Sequence, residues 1–130
     1  MENKNEIEIK ELVDKWALAV RNEDIAGIMA NHDDDIVMFD VPFPLQSKGI
    51  DEYRKTWDLF FSWSREGVFD IIEMKIIADE EIGFCFGTMR CTGTSKEGLR
   101  EDLIFRLTIG LKKKKGQWII CHEHHSLPSA

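Results

Sequence analysis

The sequence predicts an α+β domain in which helices gather on one face of a curved, mostly antiparallel sheet. Three observations predict it. Apolar residues recur at helical spacing through the first part of the chain, and alternate with polar ones through the remainder. Turn signals separate the alternating runs. Helices that precede a long meander of strands favour segregated layers over an alternating α/β arrangement.

The first helix is marked by Ile9, Leu12, Val13, Trp16, Ala17 and Val20 on one face. Asn5 and Glu8 have capping-box spacing, which predicts a start near residue 5 or 6. Asn22, Glu23 and Asp24 break it, and Asp24 caps a short second helix carrying Ile25, Ile28 and Met29. Three aspartates at 33–35 end that helix. Residues 36–39 form a short strand, stopped by Pro42 and Pro44. After a turn at Gly49, Ile50, Tyr53, Trp57, Phe60 and Phe61 mark a third amphipathic helix.

Strands follow over 69–77 and 82–92, joined by the acidic turn at 79–81. A loop through Gly93 and Gly98 leads to 99–111, where Leu103, Phe105, Leu107, Ile109 and Leu111 share one face. Four lysines at 112–115, closed by Gly116, form a hairpin turn, and 118–126 is the last strand. A strongly curved sheet with helices on one side is a cone, and a cone encloses a pocket.

The 130 residues make one domain, 1–130. Seventeen basic against 24 acidic residues leave a net charge of −7, which argues against nucleic acid and anionic membrane surfaces as partners. No apolar run approaches the roughly 20 residues of a membrane span. The polar start of the chain is unlike a signal peptide, so a cytoplasmic protein is expected. Cys85, Cys91 and Cys121 lack paired spacing and read as buried thiols. Four Trp and eight Phe against one Tyr suggest cavity or interface walls as well as core.

Several segments carry a family resemblance. The stretch from Trp16 through Asp24 and Ile28 to Asp40 and Pro42 resembles the opening of ketosteroid isomerases. The tail from Gly116 and Trp118 through His122, Glu123, His124 and His125 to Pro128 resembles the last strand of SnoaL-like proteins. It is also similar to that of the association domain of calcium/calmodulin-dependent kinase II. All three belong to the nuclear transport factor 2-like superfamily, so the resemblance implies its cone of three N-terminal helices on a curved sheet.

It also implies a site. Asp40 stands where the isomerases place a general base, and Trp16 where they place a tyrosine that donates to the oxyanion. Their second donor has no counterpart, since no Asp occupies 106–108. Comparison with the association domain places Arg90, Arg106 and His125 in the pocket. Cys121, Glu123 and His125 then face the cavity, while His122 and His124 share an interface face with Trp118 and Ile120. Phe39, Trp57 and Phe86 are expected as further walls, and Trp63 and Trp118 as core or interface.

The reading that follows is a pocket for a small organic molecule, carbonyl-bearing or anionic. Asp40 is the base of cofactor-free isomerase, cyclase or dehydratase chemistry, with His125 beside it. A non-catalytic ligand-binding or association module is the alternative. His122 and His124 have strand spacing for zinc, but no motif requires a third ligand, so no metal is expected. The apolar outer sheet face predicts a homodimer.

Overall fold

The structure is a computed structural model that describes residues 3–42, 44–63, 67–94 and 97–129. Helices α1 (Lys4–Arg21), α2 (Ile25–Met29) and α3 (Ile50–Trp63) cover one face of a six-stranded sheet. The strands are β1 (His32–Phe39), β2 (Ser47–Lys48), β3 (Phe69–Ala78), β4 (Ile82–Thr94), β5 (Arg100–Lys114) and β6 (Gln117–Ser126), in spatial order 2-1-6-5-4-3. Only the β1–β6 pair is parallel. Among the described residues no helix is long and apolar enough to cross a membrane.

The α1 cap differs from the expected one by two residues. Asn3 accepts from the Glu6 backbone N–H at 2.8 Å, and its amide donates to the Glu6 carboxylate. Asn5 lies buried in the first turn and accepts from Lys113 Nζ at 2.6 Å, tying the helix to β5. Asp24 caps α2 as expected, through the Gly27 N–H. The aspartates at 33–35 extend β1 rather than ending a helix. Only Lys115 and Gly116 turn the last hairpin, both at positive φ, because two such residues match the twist of the flanking strands. The other three lysines belong to β5: Lys112 and Lys114 reach Asp33 at 2.7 and 3.4 Å, and Lys113 lies over the Trp118 ring.

Two irregularities shape the sheet. Between Ile71 and Glu73 β3 carries an extra residue against β4, and Gly87 opposite it leaves room for the bulged chain. A Cβ on Gly87 would lie 1.9 Å from the Glu73 carbonyl oxygen. In β6, Ile120 pairs with Leu111 and His122 with Gly110, so Cys121 is the extra residue. That bulge moves the inward positions of β6 from even to odd numbers. Trp118 and Ile120 are buried in the core rather than at an interface, and so are Glu123 and His125.

The Asp33 pair yields a stability prediction. Hydrogen bonds from Lys112 and the Asp35 backbone lower the Asp33 pKa to about 2. A depressed carboxylate pKa contributes stability above its unfolded value and loses it as pH falls through the folded one. Asp33→Asn should cost on the order of 1–2 kcal/mol at neutral pH, the range for hydrogen bonds to charged groups. Urea denaturation should show that the gap from wild type narrows between about pH 4 and pH 2. A gap independent of pH would remove the ion pair as its cause.

Candidate functional site

At the centre of the molecule sits a carboxylate with no exposed surface, Glu123. The β6 bulge points it toward the helices, and three elements supply its partners. Tyr53 of α3 donates its hydroxyl to Oε2 at 2.6 Å. His32 of β1 places Nε2 at 2.9 Å from the same oxygen, and His125 of β6 places Nε2 at 3.2 Å from Oε1. Trp16 of α1 donates its indole N–H to the Tyr53 hydroxyl at 3.2 Å.

His32 Nδ1 lies 2.8 Å from the Ala30 carbonyl, which can only accept, so Nδ1 donates there. Its Nε2 faces both the Glu123 carboxylate at 2.9 Å and the Tyr53 hydroxyl at 3.0 Å, which closes one buried polar cluster. Burial pulls the Glu123 pKa upward, but hydrogen bonds from His125 and His32 outweigh it and bring the pKa to about 2. Burial and the Glu123 charge push Tyr53 well above the usual phenol value, so it stays a donor. His125 holds Nε2 against Glu123 Oε1, which aims its other ring nitrogen, Nδ1, at Asp40 Oδ1 4.0 Å away.

Asp40 and His125 stand at one side of a cavity of about 590 Å³ between α3 and the inner faces of β4–β6. Its walls are an arc of rings. Trp63, Phe60, Trp57, Phe69, Phe105 and His125 follow one another with centroids 5.5 to 5.9 Å apart. Gly93 admits Trp63, because a Cβ there would lie 2.9 Å from the indole. Asp40 is a quarter exposed and accepts from the Val41 N–H. The buried Trp57 indole N–H has no acceptor among the described residues. Burial pushes the Cys91 thiol, also in the wall, up to about 11, so it is no nucleophile. Among the described residues no three His, Cys, Asp or Glu side chains converge to hold a metal ion.

The candidate residues divide into three groups. Asp40, His125 and Trp57 line the cavity. Glu123 and Trp16 lie behind it. Glu123 holds His125, and Trp16 cannot serve as an oxyanion donor because its N–H is committed to Tyr53 and the residue is buried.

Phe39, Phe86, Arg90 and Arg106 lie outside, which corrects their expected place. The inward positions of β4 are odd-numbered, with Cys85, Met89 and Cys91 buried, so Phe86 and Arg90 project outward. Phe86 stacks on Phe84, and Arg90 forms a bidentate pair with Asp102 at 2.8 and 2.9 Å. Arg106 bonds Ser126 on the same outer face, and Phe39 meets His122 and His124 edge-on.

Tyr53, His32, Phe60, Trp63, Phe69, Phe105 and Glu101 are site residues that sequence reasoning missed. The one tyrosine among so many other aromatic residues was a signal, since its hydroxyl is what the buried carboxylate needs.

Comparison with known proteins agrees with this architecture. Residues 9–130 match the SnoaL-like domain. The chain belongs to the SnoaL-like family. A nuclear transport factor 2-like protein of unknown function from Pseudomonas putida is 31% identical, covering 100% of this chain and 91% of that one, with a TM-score of 0.86. A ketosteroid isomerase-like protein from Erwinia carotovora shares the fold at 19% identity (TM-score 0.78; 99% and 100% covered). So does a nuclear transport factor 2-like superfamily protein from Salmonella enterica at 13% identity (TM-score 0.80; 96% and 92% covered). No functionally curated protein matches the chain.

The SnoaL-like core should fail when its buried anion is removed. Glu123→Gln removes the buried charge that Tyr53, His32 and His125 face and turns an amide donor toward groups already arranged around an acceptor. Disrupting a buried hydrogen-bonded charge costs about 3–5 kcal/mol. Urea denaturation at neutral pH should show a loss of that size, and one under about 1 kcal/mol would contradict a buried carboxylate at the centre of the cluster.

Proposed function

We propose that this SnoaL-like protein binds a small, largely apolar, carbonyl-bearing molecule in the aromatic cavity and moves a proton on it without a cofactor. The observation that carries the reading is the Asp40–His125 pair. A buried carboxylate fixes the His125 ring and directs its second nitrogen toward a second carboxylate at the cavity wall. A base oriented by an anion behind it is the arrangement proton transfer requires.

Asp40 takes the proton from carbon next to the carbonyl and His125 Nδ1 accepts it in turn, Glu123 stabilising the imidazolium that results. Neither arginine takes part, because both lie on the outer face. The cavity volume falls within the roughly 300–1,000 Å³ typical of small-molecule sites.

Isotope exchange tests the chemistry before a substrate is known. Wild-type protein in D₂O should exchange the α-protons of cyclic ketones that bind it, read by mass spectrometry. Asp40→Asn and His125→Gln should each slow exchange by about 10²-fold or more, the usual contribution of a general base. Ketones that bind without exchange would reduce the protein to a binding module.

We further propose that the outer sheet face pairs with a second copy of the chain. Phe84, Phe86 and Ile104 are 42%, 43% and 56% exposed on neighbouring strands. Arg90 opposite Ile104 is neutralised by Asp102, while Lys75 opposite Phe86 and Arg106 on the same face carry charge beside the apolar residues. The fold is one that can form oligomers. Sedimentation velocity should show a dimer, and Phe86→Glu with Ile104→Glu should give a folded monomer. A monomeric wild type would dismiss the interface.

A further inference from the structure

We infer that the cavity selects a hydrophobic ammonium ion over neutral or anionic molecules of the same shape. The inference rests on the cavity being a small-molecule site and names the charge of what enters it. The lining carries two carboxylates, Asp40 and Glu101, and among the described residues no lysine or arginine. Neither carboxylate pairs with a lysine or arginine among the described residues.

The cations that a sequence reading would send there are engaged elsewhere. Arg90 is bound to Asp102 and Arg106 to Ser126, both on the far face of the sheet. Lys112 and Lys114 are bound to Asp33. Among the described residues the lining thus carries two carboxylates and no lysine or arginine, with His125 Nδ1 4.0 Å from Asp40.

The apolar part of the lining suits a cation as well. Trp57, Phe60 and Trp63 present rings along one wall, with centroids 5.5 and 5.9 Å apart. A cation within about 6 Å of a ring centroid is attracted by the negative face of the ring, and the attraction grows when water is excluded. The rings offset the hydration an ammonium group loses on entry. The carboxylates supply the countercharge at lower effective dielectric than bulk water. An organic anion of equal size meets the same rings and two like charges, so the site discriminates by repulsion as well as attraction. The net charge of −7 favours encounter with cations in the same sense.

Calorimetric titration of three shape-matched probes tests this: (2-naphthylmethyl)trimethylammonium, its neutral carbon isostere and 2-naphthylacetate. The ammonium ion should bind at least tenfold more tightly than the isostere, and the carboxylate more weakly than either. In the Asp40→Asn, Glu101→Gln variant the ammonium preference should collapse to within about threefold, where rings alone discriminate. An unchanged isostere affinity reports that this variant still folds around the cavity. Equal binding of ammonium and isostere, or tighter binding of the carboxylate, overturns the charge assignment while leaving a small-molecule site. Binding of none of the three overturns the small-molecule reading itself.

Discussion

The interior charge of Glu123 is the constraint around which the fold is arranged. A carboxylate sealed from water must find donors for both oxygens, because an unpaired ion there would cost several kcal/mol. Its donors come from β1, α3 and β6, and α1 joins through Trp16 and Tyr53. The positions of α1 and α3 on the sheet are therefore coupled to one another through a single polar cluster. Apolar packing is non-directional and would tolerate small slides of either helix. A hydrogen bond of 2.6 Å to Tyr53 does not.

The cluster exists because β6 breaks its own alternation. Strict alternation from Trp118 and Ile120 would put His122 and His124 inside and turn Glu123 and His125 outward. The extra residue at Cys121 reverses this, so both sets of large inward residues are accommodated on one strand. Periodicity alone cannot reveal such a bulge, since Cys121 carries no signal that distinguishes it from its neighbours. Likeness to the tails of relatives did point Glu123 and His125 inward. It could not show that Trp118 and Ile120 point inward too.

The order and type of the main elements were legible because hydrophobic spacing records which face of each element is buried. Face assignment failed where both faces of a strand are apolar. On β4, Phe86 and Arg90 share a face with Ile82 and Phe84, which are larger than the alternate Gly83, Cys85 and Gly87, and that face was expected to line the pocket. The helices instead pack closely against the small set: a Cβ on Gly83 would lie 2.8 Å from the Ile9 side chain. Close approach of α1 needs small residues beneath it, and the bulk is displaced to the other side. The aromatic wall was equally hidden, because Phe60 and Phe69 become neighbours only through the fold.

Which face a residue takes also decides what its charge does. Arg90 on the outer face has a carboxylate within reach, and their bidentate pairing satisfies both groups on the sheet surface. The cavity is the reverse case. Its carboxylates are placed by the β1 terminus and β5, and no described lysine or arginine lines it. A fold shared by many relatives leaves such details free, because the cone is built by core positions while the lining is set by a few side chains at its mouth. Two surfaces of one sheet thus differ in kind: outside, apolar side chains stand among charged ones; inside, aromatic rings surround two carboxylates and an imidazole.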